Sequence, residues 1–101
     1  MAAYVIANVH ITDESGYAVY REMVGATIEA YGGRYVARGG RAQTLEGSGG
    51  VGRVIVVEFP SYERALSWYE SAEYAQAKRQ RQESAHGELF LVEGILSSTR
   101  D

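Results

Sequence analysis

The chain has 101 residues, 46% of them hydrophobic and 23% charged, with no cysteine and a formal net charge of −3. These values are those of an ordinary globular domain, which at this length buries roughly 65% of the surface of its unfolded chain, and they exclude both disorder and a membrane span. The absence of cysteine excludes disulfides, thiolate metal sites and a thiol nucleophile. The weakly acidic balance argues against a nucleic-acid partner, because such a partner needs a coherent set of cations to replace counterions. Lys78, Arg79 and Arg81 stand together, but among Gln76, Gln80, Gln82 and Glu83 they read as the solvated face of a helix. Met1-Ala2-Ala3-Tyr4 runs straight into a strand-like pattern without a basic region and apolar core, so no signal peptide is expected and a cytoplasmic location is.

Residues Ala3 to Ile11 alternate, with Val5, Ala7 and Val9 on one face and Tyr4, Ile6, Asn8 and His10 on the other, which predicts a first strand. Thr12-Asp13 offers an N-cap. Tyr17, Tyr20, Val24, Thr27, Ile28 and Tyr31 then recur at helical spacing until Gly32-Gly33 ends the run. Large aromatics on such a face usually serve the core, with their hydroxyls at its wet edge.

Arg34 to Arg38 and Val54 to Phe59 read as two strands joined across the glycine-rich segment from Gly39 to Gly52. A phosphate-cradling loop would have to lead into a helix, and here a strand follows. Pro60 breaks the third strand, Ser61 caps a helix carrying Ala65, Leu66 and Tyr69 on one face, and a second cap-like serine, Ser71, suggests a kink or restart near Glu70. The pattern runs on to His86-Gly87, and Glu88 to Gly94 forms a fourth strand. Residues 1–95 are expected to make one domain and residues 96–101 a C-terminal tail.

This order, βαββαβ, is that of a ferredoxin-like α+β sandwich, a four-stranded antiparallel sheet in spatial order four, one, three, two with two helices on one face. Strand phase assigns Val5, Ala7, Val9, Tyr35, Ala37, Ile55, Val57, Phe59, Phe90 and Val92 to the helix side. It assigns Ile6, His10, Arg34, Val36, Arg38, Val54, Val56, Glu58, Leu89 and Leu91 to the open side. The apolar residues of the open side favour burial in a partner, most economically in a symmetric homodimer.

The segments AYVIANVHITD, YGGRYVARGG from Tyr31 to Gly40, VVEFPSYERALSWYESAEY from Val56 to Tyr74 and LVEG from Leu91 to Gly94 together resemble the family known as domain of unknown function 1330, within the dimeric α+β barrel superfamily. The resemblance covers about Ala2 to Ile95. It implies a homodimer with a cleft between sheet and helix elements, and implies no particular activity.

Candidate chemistry rests on a few polar residues. Strands one and three are expected to run parallel, which puts His10 and Glu58 toward the same end of the sheet with Asn8 and Arg34 nearby. Glu58 would then orient His10 as a general base and Asn8 would donate a hydrogen bond to substrate. The simpler alternative is a histidine touching water at a strand end. Arg38, placed near Tyr4 and Glu93, either clamps a substrate carboxylate with Arg34 or pairs structurally with Glu93. Trp68, turned aside from Tyr69, either lines a pocket or packs in the core or at the dimer seam. With His10 and His86 as the only imidazoles and no ligand spacing, neither a metal nor another cofactor is expected.

These readings leave two functional classes. The first is a protein that binds or converts a small carboxylate-bearing or aromatic metabolite in a cleft on the open sheet face, and the second is a non-catalytic structural or ligand-sensing homodimer.

Overall fold

The computed structural model describes residues 1–95, and the expected tail lies outside the described residues. Its elements are β1 (Ala3–Ile11), α1 (Glu14–Ala30), β2 (Arg34–Arg38), β3 (Arg53–Phe59), α2 (Tyr62–Tyr69), α3 (Ala72–Ser84) and β4 (Ala85–Glu93). The α+β architecture is as expected, except that the second helical region is two helices. Ser71 is the reason: its hydroxyl accepts from the Tyr74 amide at 3.1 Å and starts α3 afresh. Asp13 and Ser61 cap α1 and α2 in the same manner, accepting from Gly16 and Arg64. At the far end of α1, Gly32 turns the chain with φ of 79°, a value that glycine reaches without strain.

The four strands form one sheet in the order β2-β3-β1-β4. Every neighbouring pair is antiparallel, and this corrects the parallel arrangement of the first and third strands expected from sequence. Tyr4 lies opposite Glu58, and Val9 opposite Arg53. His10 and Glu58 therefore stand at opposite ends of the sheet.

Two phase assignments also change. In β4, Leu89 and Leu91 lie opposite Ala7 and Val5 and pack on the core, while Phe90 and Val92 are 57% and 47% exposed on the open face. The run Leu-Phe-Leu-Val is apolar in both phases, so periodicity could not decide it. In β2, a bulge between Tyr35 and Ala37 shifts the register, so that Tyr35 faces Val57 but Arg38 faces Ile55. One extra residue inverts every side chain beyond it. Arg38 consequently points toward the helices and Ala37 does not.

The core fills the space between this face and the three helices. Val5, Ala7, Val9, Val57 and Phe59 meet Tyr17, Val24 and Ile28 of α1 and Ala65, Trp68, Tyr74 and Ala77 of α2 and α3. Trp68 is 2% exposed, whereas Leu66, expected to face the sheet, is 40% exposed. Ala65 and Trp68, three residues apart, form the inward stripe of α2.

Candidate functional site

A cavity of about 150 Å³ opens between the helix-side face of the sheet and α1, α2 and α3. Its apolar wall is supplied by strand residues such as Val5, Ala7, Ile55 and Val57, with Val24 and Ile28 from α1. Trp68 also lines the cavity. Its indole packs on Phe59 and Tyr74 at centroid distances of 5.3 and 4.1 Å, and its Nε1 donates to the Thr27 hydroxyl at 3.0 Å.

Four arginines line the same cavity, Arg21, Arg38, Arg53 and Arg81, and among the described residues no aspartate or glutamate does. Among the described residues the one carboxylate ion pair is Arg34 with Glu58, 2.6 Å apart, on the other side of the sheet. Arg81 is buried and Arg53 half-buried, whereas Arg21 and Arg38 are exposed, so the desolvation cost that an anion would relieve falls on the first two.

Tyrosine rings hold these cations in place. Arg38 stacks on Tyr35 at 4.4 Å, and Arg21 and Arg53 flank Tyr17 at 5.5 and 5.9 Å. Arg53 lies over Gly39, whose φ is 71° and where an added Cβ would sit 2.1 Å from Nη1. Among the described residues the Arg53 Nε is buried without a hydrogen-bond partner. Burial also raises the Tyr35 phenol above its usual range.

Deeper in the cleft, Arg81 is only 8% exposed, correcting its expected place on a solvated helix face. Its Nε donates to the Tyr74 hydroxyl at 3.3 Å, and that hydroxyl lies 3.2 Å from the hydroxyl of Tyr20. Burial, and then the neighbouring Tyr74, push the Tyr20 phenol far above its usual range, so it is a neutral hydrogen-bonding group at any working pH.

Of the residues singled out from sequence, Arg38 and Trp68 line this cavity and the other four do not. Asn8 is committed to the loop before β3. Its Oδ1 accepts from the Gly52 amide at 2.8 Å and its Nδ2 donates to the Gly50 carbonyl at 3.3 Å. Glu58 takes the Arg34 ion pair and a hydrogen bond from the Tyr4 hydroxyl at 3.3 Å, so both charges are already matched at that end of the open face. A recess of about 150 Å³ beside Arg34 and Glu58 is thus bordered by a neutralised pair. His10 is far from Glu58 and stacks instead on His86, directly across from it on β4, with ring centroids 5.4 Å apart.

The residues missed from sequence were partly legible there. Arg53 is in phase with Ile55, Val57 and Phe59. Arg21 follows Tyr17 by four positions, and Arg81 continues the Tyr74–Ala77 stripe. Each was passed over because an arginine on an apolar stripe contradicts the usual polarity of a core face.

Comparison with known proteins follows the fold. The crystal structure of methylated RPA0582 superposes with a TM-score of 0.76 at 19% identity, covering 97% of this chain and 84% of that one. A second structure, of the RPA0582 protein of unknown function from Rhodopseudomonas palustris, gives 0.75 at 20% identity over 94% and 83% of the two chains. Rv0793 from Mycobacterium tuberculosis is more distant, with a TM-score of 0.57 and 15% identity over 98% of this chain and 100% of that one. No curated protein matches. Residues 2–95 match the domain of unknown function DUF1330, and the protein belongs to that family.

Proposed function

We propose that the protein binds a small carboxylate with a ring-sized apolar body in the cleft between sheet and helices. The observation that carries this reading is the convergence of Arg21, Arg38, Arg53 and Arg81 on one apolar cavity without a carboxylate among its described lining residues. An apolar cavity of about 150 Å³ accommodates one benzene-sized ring. Guanidinium groups recognise a carboxylate through paired N–H donors, and a partly desolvated site strengthens that recognition.

This moves the site expected on the open sheet face to the opposite face. Arg38 keeps its assigned role as an anion clamp and Trp68 its role as a pocket wall. His10, Glu58, Asn8 and Arg34 become structural residues of the open face and its loop, so the reading is one of binding, with no catalytic base assigned.

The test is thermal unfolding and Trp68 fluorescence in the presence of benzoate, with benzamide as the uncharged control. Benzoate is expected to raise the melting temperature by mass action, and benzamide to leave it unchanged. Arg38→Ala and Arg53→Ala should each weaken benzoate binding by about tenfold or more. Equal binding of acid and amide, or binding of neither, would overturn the reading.

The open face supports a second element of the proposal, a homodimer. Phe90, Val92 and Val36 are 57%, 47% and 55% exposed, and Ile6 and Val56 lie paired between them. A sheet face with this much apolar surface gains most from self-association.

A further inference from the structure

The polar lining of the cavity falls into two levels along α1. The upper level is set by Arg53, opposite Val9 near the end of β1, together with Tyr17 in the first turns of α1. The lower level is set by Tyr20, three residues further along α1, and by Arg81, whose Nε reaches the Tyr74 hydroxyl beside that of Tyr20. The rings of Tyr17 and Tyr20 are 5.3 Å apart between centroids, which sets the spacing of the two levels. The cavity is also lined by Trp68, whose neighbour Phe59 pairs with Ala3 at the far end of β1.

The lower level offers donors. Among the described residues Arg81 spends its Nε on Tyr74, and its terminal nitrogens have neither a hydrogen-bond partner nor a place among the buried unpartnered atoms. Tyr74 is fully buried and accepts from Arg81, so its own proton is directed to Tyr20, leaving the Tyr20 hydroxyl proton for the cavity it lines. A ligand held only by its carboxylate at the upper level would leave these donors facing hydrocarbon, a cost of about 1–3 kcal/mol per group.

Resting on the carboxylate reading above, we propose that Tyr20 and Arg81 recognise a second oxygen of the ligand, placed across the ring from the carboxylate. The ligand class is thereby narrowed to ring carboxylates bearing a hydroxyl or other oxygen acceptor roughly 5–6 Å from the acid group, the separation of para substituents and close to one helical turn. Tyr74 is a positioning residue that fixes the Tyr20 hydroxyl and the Arg81 side chain.

The experiment measures dissociation constants of the full chain for benzoate, 4-methylbenzoate, 4-hydroxybenzoate and 2-hydroxybenzoate by calorimetry. 4-Hydroxybenzoate is expected to bind at least about tenfold more tightly than 4-methylbenzoate, which has similar bulk but no oxygen, and more tightly than the 2-hydroxy isomer. In Tyr20→Phe this preference should shrink to about twofold or less while benzoate still binds, and in Arg81→Met, which also removes one of the four cavity cations, the preference should shrink likewise even as benzoate itself binds more weakly. Having two variants guards against misfolding of either, and unaltered circular dichroism certifies each. If benzoate binds but the 4-hydroxy compound gains nothing over the 4-methyl one, the second-oxygen inference is overturned and the carboxylate reading stands. If none of the four binds, both are overturned.

Discussion

The Nε of Arg81 donates to the hydroxyl of Tyr74 at 3.3 Å in a region where Arg81 is 8% exposed and, among the described residues, no carboxylate lines the cavity. A buried guanidinium held by a neutral phenol is poorly compensated in the empty protein. In the proposed carboxylate site such an arrangement would exchange some stability for binding.

Arg81→Met should test that balance directly. The unliganded variant is expected to be as stable as the parent or more stable by up to about 1 kcal/mol, since apolar replacement of an unmatched buried charge is often neutral or favourable. In a domain of this size such a gain would read as about 4–8 °C in melting temperature. A loss of more than about 2 kcal/mol would mean that Arg81 is a structural element of the core.

Gly39 is expected to control the upper arginines. Gly39→Ala places a Cβ 2.1 Å from Arg53 Nη1 on a backbone with φ of 71°, so strain of about 1 kcal/mol and displacement of Arg53 should follow. Benzoate affinity should fall about tenfold in that variant. Gly40→Ala, where an added Cβ meets nothing within 4 Å, is the control and should bind as the parent does.

Trp68 should report on both stability and occupancy. Its indole is 2% exposed and packed on Phe59 and Tyr74, so Trp68→Ala is expected to cost about 3–5 kcal/mol in denaturant unfolding. In the parent, Trp68 emission should be blue-shifted and should change on benzoate titration, because the indole lines the cavity. An unchanged spectrum at saturating benzoate would place the ligand elsewhere.

The acid limb of the stability curve should contain Asp13. The Gly16 amide, followed by the Ser15 hydroxyl, holds its carboxyl below the usual carboxylate range. A carboxylate lowered in the folded state contributes fully above its unfolded pKa and loses that contribution as pH falls below about 3.8 through the folded value. Asp13→Asn retains a capping oxygen but no charge, so it should lose less stability than the parent between pH 5 and pH 2 in thermal melts. Parallel curves for the two proteins would remove Asp13 from the acid transition.

The open face makes a simple prediction about assembly. The chain has a mass of 11.1 kDa, and light scattering of the parent should give twice that value. Phe90→Asp combined with Val92→Asp, on residues that are 57% and 47% exposed, should give the monomer mass without unfolding it. A parent that is itself monomeric would count against the homodimer.

The sequence by itself determined the elements of this protein. Glycines and capping residues such as Asp13, Ser61 and Ser71 act within a few residues, so β1, α1 and the break between α2 and α3 could be read locally. The order of elements was enough to anticipate the strand order and the side on which the helices lie, because few topologies accommodate it. What only the tertiary structure decided was direction, phase and convergence. The antiparallel pairing of β1 with β3 separates His10 from Glu58, and the bulge beside Val36 turns Arg38 from the open face into the cleft. The double-apolar Leu89–Val92 run had no preferred phase until β1 supplied a partner. The four arginines come from α1, β2, β3 and α3 and share no sequence motif. Their common cavity exists because packing brings distant side chains together, and alternation along one strand or helix carries no record of that distance.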